Sequence, residues 1–189
     1  MIALDPGLDG TGVAVWGAGN LRRGAPASEL ARSIVELGLL ESDPAGTIEQ
    51  RCLEVVHQLR ALLVQYAPAQ VVIEVPSYTG VYVGKSGMAD GLAKLNRLIG
   101  GLIVTAFEHA EGVEVIAPDT LPKAFRRLYG DVKQYRRAIV LEALAKGKRT
   151  QENTRGWGRL RQLANQDKID AIYAGLRYLD ARLELPVPR

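Results

Sequence analysis

The chain has 189 residues, 47% of them hydrophobic and 24% charged, with a net charge of +3 and a mean hydropathy of −0.02. That is enough chain for a domain with its own core, and the composition excludes a disordered polyelectrolyte, a disulfide-stapled miniprotein and a bundle of membrane helices. With no run of eighteen apolar residues and a strand-like opening in place of a basic, apolar leader, the expectation is a single cytoplasmic domain over 1–189 with no membrane partner.

Met1–Asp5 and Gly12–Trp16 are short apolar runs separated by Pro6-Gly7 and Asp9-Gly10, the punctuation of an antiparallel hairpin. Gly17, Gly19 and Asn20 mark a turn, and a third short strand is expected around Leu21–Arg23. From Thr47 the period changes: Ile48, Cys52, Val55, Val56, Leu59, Leu62, Leu63 and Tyr66 recur at helical spacing, with Thr47 and Gln50 as a capping box and Pro68 as a stop. Cys52, the single cysteine, lies on the apolar phase of that helix and is expected to be a reduced, buried thiol. Val71–Val75 is a β-branched run interrupted by Glu74, the pattern of a buried central strand.

A second helix is expected over Met88–His109, with Leu92, Leu95, Ile99, Leu102, Ile103 and Ala106 as its apolar stripe. Gly100 and Gly101 interrupt its middle, at a cost of about 1 kcal/mol each against alanine, which implies close packing against a strand, a helix or a second subunit. A strand over Val113–Ala117 follows, then helices near Thr120–Tyr129 and Asp131–Ala145, and a long basic loop at 146–164. The last helix is expected over Gln166–Leu183, with Ile169, Ile172, Tyr173, Leu176 and Leu179 facing inward. The order is that of an α/β domain with mixed strands.

Charge is unevenly spread. Between Pro122 and Leu163 there are twelve basic residues and three acidic ones, so this stretch carries +9 and the remainder −6. A basic third on an acidic remainder is what gripping phosphates on one side requires, although solvated helix faces would give the same count.

Four carboxylates stand out. Asp5 ends the first strand, Glu74 lies in a buried one, and Asp167 and Asp170 are three apart on the last helix, hence on one face. Acids at such places need partners or a cation, and no arginine alternates with them in sequence. Without histidine or cysteine nearby, the donor set suits Mg²⁺ or Mn²⁺ better than zinc. A pair of such ions can flank a phosphate, one activating water and the other stabilising the leaving oxygen.

At this point the sequence resembles the RuvC-type Holliday-junction resolvases. IALDPGLDGTGVAV at 2–15 is similar to their first hairpin, VVIEVP at 71–76 to their fourth strand, and DKIDAIYAGL at 167–176 to their last helix. DGLAKLNRLIGGLI at 90–103 resembles their long central helix and APDTLPKAF at 117–125 the segment with an active-site lysine, so most of the chain is covered in order. The resemblance implies an RNase H-like fold, with a mixed five-stranded sheet flanked by helices. It implies Asp5, Glu74, Asp167 and Asp170 as ligands of two Mg²⁺ ions, with Mn²⁺ able to substitute, and Lys123 beside the phosphates. It further implies a homodimer on branched, four-way-junction DNA, with a branch-migration helicase as a further partner and a chromosomal or phage source both open. The helix with Gly100 and Gly101 is the dimer-face candidate, on a par with intradomain packing.

The family's second lysine has no clear counterpart in GDVKQYRR at 130–137, where Lys133, Arg136 and Arg137 compete. The loop at 146–164 is longer and more basic than the family's, and Lys146, Lys148, Arg149 and Arg155 are expected to contact DNA along with Lys133, Arg136, Arg137 and Lys85. Tyr78 and Tyr82 follow Glu74, where the family places an aromatic that stacks on bases; a loop-edge role fits them equally. GVYVGKS at 80–86 is one residue short of a nucleotide-binding loop. Two other functions share these features: an RNase H-like nuclease acting on RNA or hybrids, and a non-cleaving binder of branched DNA.

Overall fold

The computed structural model describes residues 1–17, 21–75, 86–118, 131–147 and 165–181. Five strands form one mixed sheet: β1 (Ile2–Asp5), β2 (Thr11–Trp16), β3 (Ile34–Leu40), β4 (Gln70–Glu74) and β5 (Gly112–Ile116), in the order β3-β2-β1-β4-β5. The first three are antiparallel neighbours, whereas β4 runs parallel to β1 and β5 parallel to β4. Five helices are described: α1 (Ala27–Arg32), α2 (Ile48–Tyr66), α3 (Ser86–His109), α4 (Val132–Gly147) and α5 (Gln166–Tyr178). Among the described residues no helix is long and apolar enough to cross a membrane.

Strand alternation divides the core into two layers. Ile2, Leu4, Val13, Val15, Val71 and Ile73 face α2 and α3. Ala3, Ala14, Trp16 and Val72 face the opposite way, toward α1, α4 and α5. On this second face the side chains of β1 and β2 that meet α5 are small except at Trp16, whose indole N–H donates to the Leu30 carbonyl at 3.1 Å. The small face lets α5 approach closely. A Cβ on Gly12 would overlap the carbonyl of Asp167, and one on Gly175 would overlap the Trp16 ring.

The hairpin and the capped helix stand where the pattern put them, the Thr47 hydroxyl accepting from the Gln50 N–H and the Gln50 side chain accepting from the Thr47 N–H. The third strand is not at Leu21–Arg23, which is irregular, but at Ile34–Leu40, after the short helix α1. As an edge strand containing Glu36 and Gly38, with Val35 exposed, it lacks the apolar alternation that would have announced it. α5 ends at Tyr178, not Leu183: the Ala181 N–H returns to the Leu176 carbonyl and Asp180 takes a left-handed φ of 50°, a turn that aspartate tolerates. Cys52 is half-buried against the α2/α3 layer, and burial raises its thiol pKa, in keeping with an inert thiol. The helix expected at Thr120–Tyr129 and all but the first two residues of the loop at 146–164 lie outside the described residues.

The paired glycines of α3 separate in role. A Cβ on Gly101 would come within 3.0 Å of Val56 on α2, whereas one on Gly100 would meet open space. Gly12→Ala is therefore expected to destabilise the chain by about 1–3 kcal/mol, through forced separation of β2 and α5. Gly100→Ala should instead stabilise by up to about 1 kcal/mol, the helix-propensity difference. Urea unfolding midpoints of the two variants test both signs.

Candidate active site

Asp5 and Glu74 are the last residues of two adjacent parallel strands. Ala3 pairs with Val72 and both face α5, so two residues on, Asp5 and Glu74 emerge side by side on that same face. The first turns of α5 cross above them. Asn165 caps this helix, its side chain accepting from the Asp167 N–H at 2.7 Å, which fixes the turn carrying Asp167 and begins the face carrying Asp170. The loop between β1 and β2 is held to α2 by Arg51, which donates to the Leu8 carbonyl and pairs with Asp9. The structure thus brings the four sequence-predicted acids into one neighbourhood.

At its centre is a cation from a fourth element. Arg136 of α4 donates through Nη1 to Asp170 Oδ1 at 2.9 Å and through Nη2 to Glu74 Oε1 at 2.7 Å. Its guanidinium also lies 5.1 Å from the centroid of the Tyr173 ring, within cation–π range. Arg136, Glu74 and Asp170 are 5%, 4% and 6% exposed. Asp170 Oδ2 accepts from the Gln166 amide at 3.2 Å. Glu74 Oε2 is buried without a hydrogen bond; Arg177 Nη1 stands 4.0 Å away but donates to the Ala117 carbonyl.

The acids hold one another's protons. Burial, reinforced by the charges of Asp170, Glu74 and Asp167, pushes Asp5 up to about 8 against the opposing pull of Arg136. Burial likewise raises Glu74, with Arg136 pulling it back. Asp167 is raised by burial and by Asp170, and opposed by the Asn165 hydrogen bond and the charge of Lys133. Burial works against the charge of Arg136, but Glu74 and Asp170 outweigh it and raise its pKa.

The donor chemistry fits a hard divalent ion: oxygen ligands only, one of them a buried carboxylate oxygen lacking any donor. With Arg136 between Glu74 and Asp170, no three acids among the described residues converge as a ready metal cage. Arg136 was read from sequence as a DNA contact and as one rival for the family's second active-site lysine; the structure turns it inward to the acids, and its pairing with Glu74 and Asp170 was not read. The signal was its phase, since Arg136 shares the buried stripe of α4 with Ile139, Val140 and Ala143. Its partners are 34 and 62 residues away, so proximity in sequence could not reveal them. Arg177, also missed, ties the end of α5 to the segment after β5. Lys133 and Arg137 are exposed on α4, and Lys146 at its far end pairs with Glu142 at 3.1 Å. Lys123, Tyr78, Tyr82, Lys85, Lys148, Arg149 and Arg155 lie outside the described residues.

No protein-family model matches the chain, and no curated protein matches it by sequence. Solved structures do match. The RuvC protein of Thermus thermophilus, in complex with Holliday junction substrate, superposes with a TM-score of 0.57 at 16% identity, covering 93% of this chain and 91% of that one. The crystal structure of the yeast mitochondrial Holliday junction resolvase Ydc2 gives a TM-score of 0.55 at 12% identity, over 95% of this chain and 78% of that one. The fold is therefore RNase H-like, shared with RuvC-type resolvases, and the activity has to be argued from the site.

The raised acids set a pH dependence. Folded Asp5 keeps its proton up to about 8, whereas the unfolded chain loses it near the ordinary aspartate value of 3.8. Between those values the folded state binds more protons than the unfolded one, so this group's contribution to stability falls as pH rises through that window. In chelator, Tm is expected to decline from pH 5 to pH 8, and Asp5→Asn to flatten the decline. An equal slope in both proteins would show that Asp5 is not its source.

Proposed function

We propose that this protein is a divalent-ion-dependent endonuclease that cuts branched DNA, resolving four-way junctions. The observation that carries the reading is the partly buried acid cluster at the ends of β1 and β4 and the start of α5, in a fold shared with two Holliday junction resolvases. Asp5, Glu74 and Asp167 would hold Mg²⁺, with Mn²⁺ able to replace it, and Asp170, expected from the sequence as a fourth ligand, would align the site through Arg136. The bound ion supplies an activated water and charge stabilisation at the leaving oxygen, and in nucleases of this kind two ions share that work. The number held here depends on Arg136.

The remaining work falls to the chain. Arg136 fixes the rotamers of Glu74 and Asp170, and the small-residue face fixes the height of α5 above the strand ends. Lys133 is exposed, and its charge already acts on Asp167, so of the three basic rivals on α4 it is the one suited to a phosphate at the acids. Lys123 would act beside it, with Tyr78 or Tyr82 stacking on an exposed base. Lys85, Arg137, Lys146, Lys148, Arg149 and Arg155 would follow the DNA backbone.

A homodimer suits a substrate with approximate two-fold symmetry. The outward face of α3 supports one: beside the open Gly100 it carries Val104 at 59% and Phe107 at 65% exposure, more apolar surface than an isolated helix face needs. A branch-migration helicase would be the motor such an enzyme works with, in the cytoplasm.

Two measurements test the reading. A labelled four-way junction, a linear duplex and an RNA–DNA hybrid are incubated with Mg²⁺, with Mn²⁺ and with chelator. Paired symmetric nicks on the junction alone, reduced more than about a hundredfold by Asp5→Asn while junction binding persists, are expected. Hybrid cleavage would transfer the protein to the RNA-directed nucleases, and binding without cutting in either metal would make it an architectural protein. Neutralising Lys148, Arg149 and Arg155 together should lower junction affinity and flatten its salt dependence by about 0.9 in slope per lost phosphate contact; unchanged affinity and slope would remove the loop from the DNA path.

A further inference from the structure

We infer that Arg136 is a built-in cation of this centre, standing where a second divalent ion would share Glu74 and Asp170, so that each chain loads one ion and not two. The inference rests on the metal-dependent reading above and narrows its donor set.

The oxygens decide it. Of the four on Glu74 and Asp170, three are engaged: Glu74 Oε1 and Asp170 Oδ1 by the two Nη atoms of Arg136, and Asp170 Oδ2 by the Gln166 amide. Asp170 therefore has no uncommitted oxygen and acts through Arg136, as a positioning residue. Left over are Glu74 Oε2, buried with no donor, together with Asp5 and Asp167. Those three groups, which do not form a ready cage before an ion arrives, are what remains for one hard ion that keeps much of its water, as Mg²⁺ does, and leave nothing with which to bind another.

Arg136 is also built to stay. It is 5% exposed, lies over the Tyr173 ring, and sits on a helix face whose next turns are buried as Ile139, Val140 and Ala143. A guanidinium cannot release its proton at working pH, so its charge is permanent, unlike that of a lysine. Withdrawing it would leave two buried carboxylates uncompensated, one of the costlier changes a protein interior can undergo. A second divalent ion would have to displace it or sit against it, cation to cation, across the same two acids.

The test counts ions and does not need cleavage. The full chain, stripped of metal, is titrated with Mn²⁺ without DNA, bound ion being read by loss of the free-ion electron paramagnetic resonance signal. One Mn²⁺ per chain is expected for the wild type and for Arg136→Lys, and two for Arg136→Gln. Asp170→Asn should keep the wild-type Mn²⁺ affinity within about threefold, while Asp5→Asn should weaken it more than about tenfold. Two ions on the wild type would overturn the inference and leave the nuclease reading intact; no ion at all, with no Mn²⁺-dependent rise in Tm, would overturn that reading itself. Should Arg136→Gln fail to fold, the wild-type count and the Asp170→Asn affinity still decide: loss of binding in Asp170→Asn would make it a ligand and refute the assignment.

Discussion

The closeness of α5 to the sheet is the constraint on which the other features rest. Four acids at one place repel one another and resist leaving water, so no local preference of the chain would gather them. They are gathered because the helix carrying two of them has an apolar underside of Ile169, Ile172, Tyr173 and Leu176, and the sheet below offers Ala3, Ala14 and Gly12 as a shallow bed. Burial of that underside drives the docking, and the absence of a side chain at Gly12 sets its depth. Asp167 is then placed by backbone contact and Asp170 by one further helical turn.

The same face shows how strand parity becomes chemistry. Parallel pairing of β1 with β4 brings two strand ends to one edge, and the alternation that buries Ala3 and Val72 under α5 sends Asp5 and Glu74 to the same side two residues later. A slip of one residue in that pairing would send one acid into the α2/α3 layer, among Leu4, Ile73 and Leu98, with no counter-charge. The apolar alternation of these strands, chosen for packing, is thus also what fixes the acids in register.

Legibility followed the strength of local signals. The hairpin, the capped α2, β4 and the run of apolar residues on α5 were readable because each carries a period or a cap whose physics is local. β3 was not, because an edge strand with one exposed face and a glycine at position 38 needs little apolar patterning. The early end of α5 turned on a left-handed aspartate, a turn that neither glycine nor proline announced. In the site, the acids were visible as types at telling places, and the likeness to junction resolvases tied them together; Arg136 was named only as one of three rivals for an active-site cation, and its inward pairing was not legible, because twelve basic residues in one stretch invite a single explanation. Phase separates them: Lys133 and Arg137 fall on the open side of α4, and Arg136 falls in line with its buried stripe.

That inward arginine also explains how such a centre can exist before any ligand arrives. The acids alone would strongly favour neutral forms, and Asp5 does hold its proton up to about 8. Glu74 and Asp170, however, each have a charged donor within hydrogen-bond distance, which aligns both carboxylates. The centre is therefore divided into a half paired with Arg136 and a half, Asp5 with the Glu74 oxygen that accepts no hydrogen bond, that the protein leaves less compensated. On the proposed reading, folding and ion loading would be coupled through this imbalance: the two core layers supply the stability that keeps the less compensated half in place, and the free energy returned on relieving it would be available to ion binding.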